Sequence, residues 1–79
     1  MKIQLDASGF ESCDVEPIAT TYYGGSIVLN GVTYYCSGND RSNLECLDVI
    51  SDYYNLTEEQ YDRLYELIVY EGFVGEVEI

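Results

Sequence analysis

Residues Ser26–Cys36, with the sequence SIVLNGVTYYC, predict a tight β-hairpin. Asn30 and Gly31 supply the two positive φ angles that a two-residue type I′ turn requires, and β-prone residues flank them on both sides. This turn sets the register, in which Leu29 pairs with Val32. The more apolar face, expected to point to the core, carries Ile27, Leu29, Val32, Tyr34 and Cys36, and the other face carries Val28, Thr33 and Tyr35.

Alternation of apolar and polar residues predicts further strands on both sides of the hairpin. Residues 1–7 and 73–79 alternate with the period of a half-buried strand. Residues 17–23 are rich in β-branched and aromatic side chains, and we expect this strand to end at the two glycines that follow. Residues 8–16 carry turn formers and a weak pattern, and they are predicted to form a loop.

Two capping boxes predict two helices after the hairpin. Ser42 and Glu45 have the spacing of the first box, which opens a helix from about residue 43 to residue 54. Thr57 and Gln60 have the spacing of the second, and Gly72 is placed to end that helix. The apolar stripes of the two helices carry Leu44, Leu47, Ile50 and Tyr54, and then Tyr61, Leu64, Tyr65 and Ile68.

The predicted order of elements is β-β-β-β-α-α-β, within one acidic domain that covers residues 1–79. This order predicts an α+β fold, in which a small antiparallel or mixed sheet with a central Asn-Gly hairpin packs against two helices. A domain this small buries only about 60% of the surface of its unfolded chain, so its core is expected to be thin.

The chain carries a large excess of negative charge. Fifteen Asp and Glu residues face three Lys and Arg residues, and the formal net charge is −12 at pH 7. Solubility of a small domain needs a magnitude of only about 2–8, and further like charge destabilises the folded state by self-repulsion. The excess favours a basic protein surface as the partner and argues against direct binding to nucleic acid or to an anionic membrane.

The acids concentrate on the two predicted helices, since nine of the fifteen lie in residues 40–71. Carboxylates one helical turn apart have Cβ atoms about 5–6 Å apart, which is near the spacing of phosphates along a nucleic-acid strand. Two interpretations stay open: a surface that imitates a phosphate track, or two ordinary solvated helix faces. The predicted partner-binding acids are Glu45, Asp48 and Asp52 on the first helix and Glu58, Glu59, Asp62 and Glu66 on the second.

Tyrosine is the second excess, with nine residues. Adjacent residues of a strand point to opposite faces, so one member of each tyrosine pair on a strand is expected to be exposed. Exposed tyrosines suit a binding surface, because they bring a large contact area and a polar tip at low entropic cost. We expect exposure and partner binding for Tyr35 and Tyr53, and core positions for Tyr34, Tyr54, Tyr61 and Tyr65.

The composition argues against an enzyme. The chain has no His, the commonest general base and a frequent metal ligand, and it has no glycine-rich phosphate loop or nucleophile elbow. We therefore expect no catalytic residues, no cofactor and no metal site. The absence of a signal-like or membrane-spanning stretch predicts a cytoplasmic protein without membrane association. Cys13, Cys36 and Cys46 are expected to be thiols, and a disulfide between two of them stays open.

In size, charge and α+β character the whole chain resembles the small acidic inhibitors made by phages and mobile elements, anti-CRISPR proteins above all. The resemblance contains no diagnostic motif. It implies a stoichiometric inhibitor in the bacterial cytoplasm, which binds a basic surface of a CRISPR–Cas complex and blocks target DNA binding by occlusion or DNA mimicry. The residues that carry it are the helix acids Glu45, Asp48, Asp52, Glu58, Glu59, Asp62 and Glu66, with tyrosines interleaved.

Two alternatives stay open. One is an immunity protein or antitoxin that neutralises a basic nuclease toxin. The other is a non-catalytic structural or interaction subunit, in which the acids serve solubility and the tyrosines form contacts between copies. For the isolated chain we expect a monomer or a weak dimer.

Overall fold

The computed structural model describes residues 1–40 and 44–79, with six strands, two α-helices and one π-helical segment. No helix within these residues is long and apolar enough to cross a membrane. In chain order the elements are β1 (Lys2–Asp6), β2 (Phe10–Val15), β3 (Thr20–Leu29), β4 (Val32–Tyr35), β5 (Gly38–Asn39), α1 (Glu45–Tyr54), α2 (Glu58–Tyr65), the π-helical segment (Glu66–Glu71) and β6 (Val74–Glu78).

The long strand β3 organises a curled, fully antiparallel sheet. Its first half pairs with β2 on one side and with β5 on the other. Its second half pairs with β4 and with β1, and β1 in turn pairs with β6. The predicted α+β class, with a small sheet packed against two helices, is confirmed, and the sheet is antiparallel rather than mixed.

The predicted loop over residues 8–16 is wrong, because residues 10–15 form strand β2. This strand pairs with β3 from Phe10 opposite Gly25 to Val15 opposite Thr20. Its four central side chains are all exposed, so no alternation of apolar and polar residues marks the strand in the sequence. Backbone pairing with the neighbouring strand, and not burial of a face, therefore defines β2.

The predicted end of a strand at Gly24 and Gly25 is also wrong, because β3 runs through both residues to Leu29. Gly25 has a φ of +78°, a backbone conformation that favours glycine. The amide of Ser26 donates a hydrogen bond to the carbonyl oxygen of Gly9 at 3.1 Å. Gly25 thus bends β3 between the half that pairs with β2 and β5 and the half that pairs with β4 and β1, and the strand continues through the bend.

The central hairpin is confirmed. Asn30 and Gly31 have φ angles of +50° and +81°, and Leu29 lies opposite Val32 in the predicted register. Ile27, Leu29 and Cys36 are buried as expected. Val32, however, is 51% exposed, which corrects its predicted core position. The reason is its place on β4, an edge strand that pairs only with β3 among the described strands.

Helix α1 begins without the predicted capping box. Ser42 lies outside the described residues, and Leu44 occupies the N-cap position with no side-chain capping bond. Glu45 is consequently the first residue of the helix, whereas a capping box needs it at the third. Its carboxylate instead accepts a hydrogen bond from the hydroxyl group of Ser37.

Helix α2 has the capping box that the sequence predicts. The Thr57 hydroxyl accepts from the Gln60 amide at 3.2 Å, and the Gln60 side chain accepts from the Thr57 amide at 3.0 Å. The helix then widens into the π-helical segment, which was not predicted. Gly72, with a φ of +56°, ends the helical region as expected, and the Phe73 amide bonds to the Leu67 carbonyl.

The core lies between the helices and one face of the sheet. Side chains from β1 and β3 form a single buried cluster with side chains from both helices and the π-helical segment, so the helices cover this face. The buried apolar residues are Ile3, Leu5, Ala7, Ile27, Leu29, Cys36, Leu44, Cys46, Leu47, Ile50, Leu64, Leu67 and Ile68.

Candidate functional site

The predicted acids of α1 lie on the face that points away from the core. Leu47 and Ile50 are fully buried, and the acids occupy the opposite positions of the same helix. Glu45 and Asp52 are exposed, and Asp48 between them is half-buried. Because α-helical residues three and four apart lie on one side, these three carboxylates form one row along the helix.

The predicted acids of α2 follow the same rule. Leu64 is the buried residue of this helix, while Glu58, Glu59 and Asp62 are exposed, as is Glu66 at the start of the π-helical segment. Both helices turn their buried sides to the same core, so both rows of carboxylates face outward from the helical side of the molecule. The acidic helix faces are defined here as Glu45, Asp48, Asp52, Glu58, Glu59, Asp62 and Glu66.

One side chain connects the two rows. The Tyr61 hydroxyl on α2 donates a hydrogen bond to Oδ1 of Asp48 on α1 at 3.3 Å. Burial raises the pKa of Tyr61, and the negative charge of Asp48 raises it further. Tyr61 therefore keeps its proton at neutral pH and holds Asp48 at the junction of the helices.

Within the described residues, few positive charges neutralise the acidic helix faces. Nη1 of Arg63 lies 3.6 Å from Glu66 and 3.4 Å from Glu71, so one cation is shared between two carboxylates. Within residues 1–40 and 44–79, four acids of the faces form no ion pair and no side-chain hydrogen bond. These four unpaired acids are Asp52, Glu58, Glu59 and Asp62.

The other described cations lie at the edge formed by β1 and β6, where the Ile79 carbonyl oxygen accepts hydrogen bonds from the amino terminus and from the Gln60 side chain of α2. Nζ of Lys2 is 3.4 Å from Glu76, and the amino terminus is 2.8 Å from Glu78. The hydrogen bond and charge of the amino terminus lower the pKa of Glu78. The sheet edge is thus locally neutralised, whereas the helical side keeps most of its negative charge.

Tyr53 adjoins this acidic surface. It follows Asp52 on α1, its side chain is 75% exposed, and its ring meets the ring of Tyr54 edge-to-face at a centroid distance of 4.9 Å. The Tyr54 hydroxyl in turn accepts a hydrogen bond from Asn30 in the hairpin turn at 3.2 Å. The predicted exposure of Tyr53 is confirmed, and its neighbour supports the ring on one side.

Tyr35 is also exposed as predicted, at 79%, but it lies on a different surface. Ile27, which is buried in the core, pairs with Tyr34, so Tyr34 points toward the helices. The next residue of the strand points to the opposite face of the sheet. The structure therefore does not bring Tyr35 together with the acidic helix faces.

Tyr70 is 74% exposed and was not among the predicted partner-binding residues. Its ring meets Tyr65 edge-to-face at 5.8 Å, and the Tyr65 hydroxyl lies 3.2 Å from that of Tyr23. A signal for this residue existed, since Tyr70 continues the four-residue spacing of Asp62 and Glu66. The helical region therefore carries two exposed tyrosines, Tyr53 and Tyr70, and each contacts a partly buried tyrosine.

The stability of the fold is expected to fall as the pH rises above about 10, the ordinary pKa of tyrosine. Burial raises the pKa of Tyr34 and of Tyr61, and the hydrogen bond with Tyr23 raises that of Tyr65. The folded protein therefore holds protons that the unfolded chain has already lost, and unfolding becomes more favourable with increasing pH.

Urea unfolding at a series of pH values between about 9 and about 11 measures this effect. Replacement of Tyr65 by Phe removes one of the raised groups, so the pH dependence of that variant is expected to be shallower. A free energy of unfolding that stays constant over this range would contradict the assignment.

The chemistry of the site is that of an exposed acidic surface. Exposed carboxylates accept hydrogen bonds from ammonium and guanidinium groups, and the flanking phenol rings can stack on guanidinium planes. Within the described residues, no three metal-ligating side chains come together as a metal site. Comparison of the chain with protein-family models, with curated proteins and with solved structures finds no match.

Proposed function

We propose that this protein is a non-catalytic inhibitor whose acidic helix faces occupy a basic, nucleic-acid-binding surface of a CRISPR–Cas complex and block its binding of target DNA. The observation that supports the proposal is the set of four unpaired acids, Asp52, Glu58, Glu59 and Asp62. The choice of CRISPR–Cas as the partner rests on the resemblance in size, charge and α+β character.

The concentration of like charges on the acidic helix faces destabilises the protein when it has no partner. Like charges four residues apart destabilise a helix by a few tenths of a kcal/mol per pair. When a basic partner binds, its positive charges offset this repulsion. The helices already hold the carboxylates in place, so little further ordering is needed. Basic DNA-binding grooves bind phosphates with release of counterions, and a fixed row of carboxylates can use the same effect.

Tyr53 and Tyr70 support the proposal, because charge alone gives little specificity. Both rings are exposed, Tyr53 directly after Asp52 on α1 and Tyr70 on the π-helical segment, and each meets a second tyrosine edge-to-face. Such rings lose little conformational entropy on binding and commonly contribute to interface hot spots. The proposed interface therefore combines charge attraction with two apolar anchors.

A competition experiment tests the proposal. Purified CRISPR–Cas effector complexes of several types are mixed with labelled target DNA and increasing amounts of the protein, and bound DNA is measured by fluorescence anisotropy. We expect at least one complex to lose its DNA at stoichiometric protein, and direct binding of the protein to that complex, measured without DNA, to weaken when the salt concentration is raised. Unchanged DNA binding by every complex at saturating protein would contradict the CRISPR assignment. Capture of a basic nuclease toxin from a lysate would favour the immunity-protein alternative instead.

A further inference from the structure

Two of the three cysteines meet in the core at the point where the sheet leads into the first helix. Cys36 directly follows β4, and Cys46 is the second residue of α1. Their Sγ atoms are 3.3 Å apart, and both residues are buried, with exposures of 6% and 2%. Cys13, by contrast, is exposed on β2.

The chain on both sides of the pair is held in place by hydrogen bonds. The Cys36 amide donates to the Gly25 carbonyl at 2.9 Å, which anchors the cysteine to the central strand. The Glu45 amide donates to the Ser37 carbonyl at 2.9 Å, and the side chains of these two residues also form a hydrogen bond. The residues next to each thiol are thus tied together, and the approach of the sulfur atoms is a property of the local fold.

The two thiols are not equivalent. The two sulfur atoms share a hydrogen bond in which either thiol can be the donor, and this contact lowers the pKa of Cys36 and raises that of Cys46. Cys36 is therefore the member of the pair that more readily becomes a thiolate, the form that reacts with oxidants. Cys46 is then placed to attack the oxidised sulfur.

We propose that Cys36 and Cys46 form a reversible intramolecular disulfide that fastens the start of α1 to the end of β4. With hydrogen peroxide as the oxidant, the Cys36 thiolate attacks one peroxide oxygen, which leaves a sulfenic acid and releases water. The Cys46 sulfur then attacks the Cys36 sulfur, and a second water leaves. Overall, two thiols and one peroxide give one disulfide and two waters. The sulfurs need only close from 3.3 Å to about 2.05 Å.

The cross-link is expected to raise the melting temperature of the protein by about 10 °C, since it restricts the unfolded chain between the two cysteines. It also fixes the end of α1 that carries Glu45, the first of the acidic helix residues. The inference concerns the fold and redox chemistry of the chain, and it stands whether or not the proposed partner is correct.

Mass spectrometry of the intact protein tests the proposal. The protein is treated with hydrogen peroxide, unfolded, and alkylated with iodoacetamide before its mass is measured. We expect the loss of two hydrogen atoms and a single alkylated cysteine, and three alkylated cysteines after reduction with dithiothreitol. Three alkylated cysteines without reduction, or oxidation of these thiols to sulfinic acids, would overturn the proposal.

A Cys13→Ser variant identifies the pair. Trypsin cleaves after Arg41, between the two cysteines, so a disulfide in this variant joins the peptides on either side of that arginine. We expect this linked peptide after peroxide treatment, and two separate peptides after reduction. The pairing is wrong if Cys13→Ser no longer forms an intramolecular disulfide. The wild-type mass measurement needs no substitution, so it shows whether an intramolecular disulfide forms even if the variant fails to fold, and digestion of the wild type excludes Cys13–Cys36 if residues 3–41 and 42–63 are linked.

Discussion

Replacement of the four unpaired acids by lysine is expected to weaken binding to the partner by at least about a hundredfold, without unfolding the protein. An exposed ion pair contributes roughly 0.7 kcal/mol, so four of them account for two orders of magnitude in affinity before the new repulsion is added. The substitutions are Asp52→Lys, Glu58→Lys, Glu59→Lys and Asp62→Lys. Isothermal titration with the CRISPR–Cas complex that responds in the competition experiment measures the loss.

A matched pair of double variants separates the position of the charges from their number. Asp52→Lys with Glu59→Lys changes the helices, and Glu11→Lys with Glu16→Lys makes the same change in net charge near β2. We expect about a tenfold loss of affinity for the first and less than a twofold loss for the second. Equal losses for both would indicate that net charge alone attracts the partner. Thermal unfolding is the control, since removal of repulsion between helix acids is not expected to lower the melting temperature.

Substitution of Gly25 by alanine is expected to cost about 3 kcal/mol or more of stability. A residue other than glycine at a positive φ costs roughly 1–2 kcal/mol, and Gly25 has a φ of +78°. The new Cβ would also overlap the carbonyl oxygen of Gly9, a backbone atom that cannot rotate away. For a chain of this length the total stability is of the order of 4–12 kcal/mol, so a large share of the folded state would be lost.

The neighbouring glycine provides the control. A Cβ at Gly24 would meet no atom within 4 Å, and this residue has no positive φ. We expect Gly24→Ala to change the free energy of unfolding by no more than about 0.5 kcal/mol. Chemical denaturation of both variants measures the difference. Similar stability of Gly24→Ala and Gly25→Ala would show that the bend in β3 does not depend on the glycine.

Elements with a strong local signal were predictable from the sequence. The turn at Asn30 and Gly31 needs positive φ angles that few residues accept, and this requirement sets the hairpin register. The capping box of Thr57 and Gln60 likewise depends on side chains only three residues apart. Such features are decided by residues next to one another, so the structure agrees with the prediction at these places.

Elements that depend on distant partners were not predictable in the same way. Strand β2 has exposed side chains, and only its pairing with β3 makes it a strand. The continuation of β3 through Gly25 depends on the close approach of Gly9, which the sequence does not reveal. The π-helical segment is likewise absent from the pattern of apolar residues, because that pattern assumes a constant helical period.

In the candidate site, too, some features follow from local sequence and others depend on distant contacts. Spacing along each helix was enough to predict the exposure of its acids. Which acids remain unpaired depends on tertiary contacts, such as the bond from Tyr61 to Asp48 and the position of Arg63 between two glutamates. The separation of Tyr35 from the helices, however, already follows from the predicted register, in which Tyr34 shares the core face with Ile27 and Tyr35 therefore lies on the other face of the sheet.

The most direct test of the acidic helix faces is the salt dependence of partner binding. Neutral isosteric substitutions, Asp52→Asn, Glu58→Gln, Glu59→Gln and Asp62→Asn, remove the four unpaired charges while keeping the size of each side chain. If each carboxylate takes the place of one phosphate, the wild type is expected to lose about a hundredfold in affinity between about 50 mM and about 200 mM salt. The variant is expected to show a slope of log affinity against log salt that is smaller by about 3–4. An identical slope for the two proteins would show that these four carboxylates do not bind the basic partner.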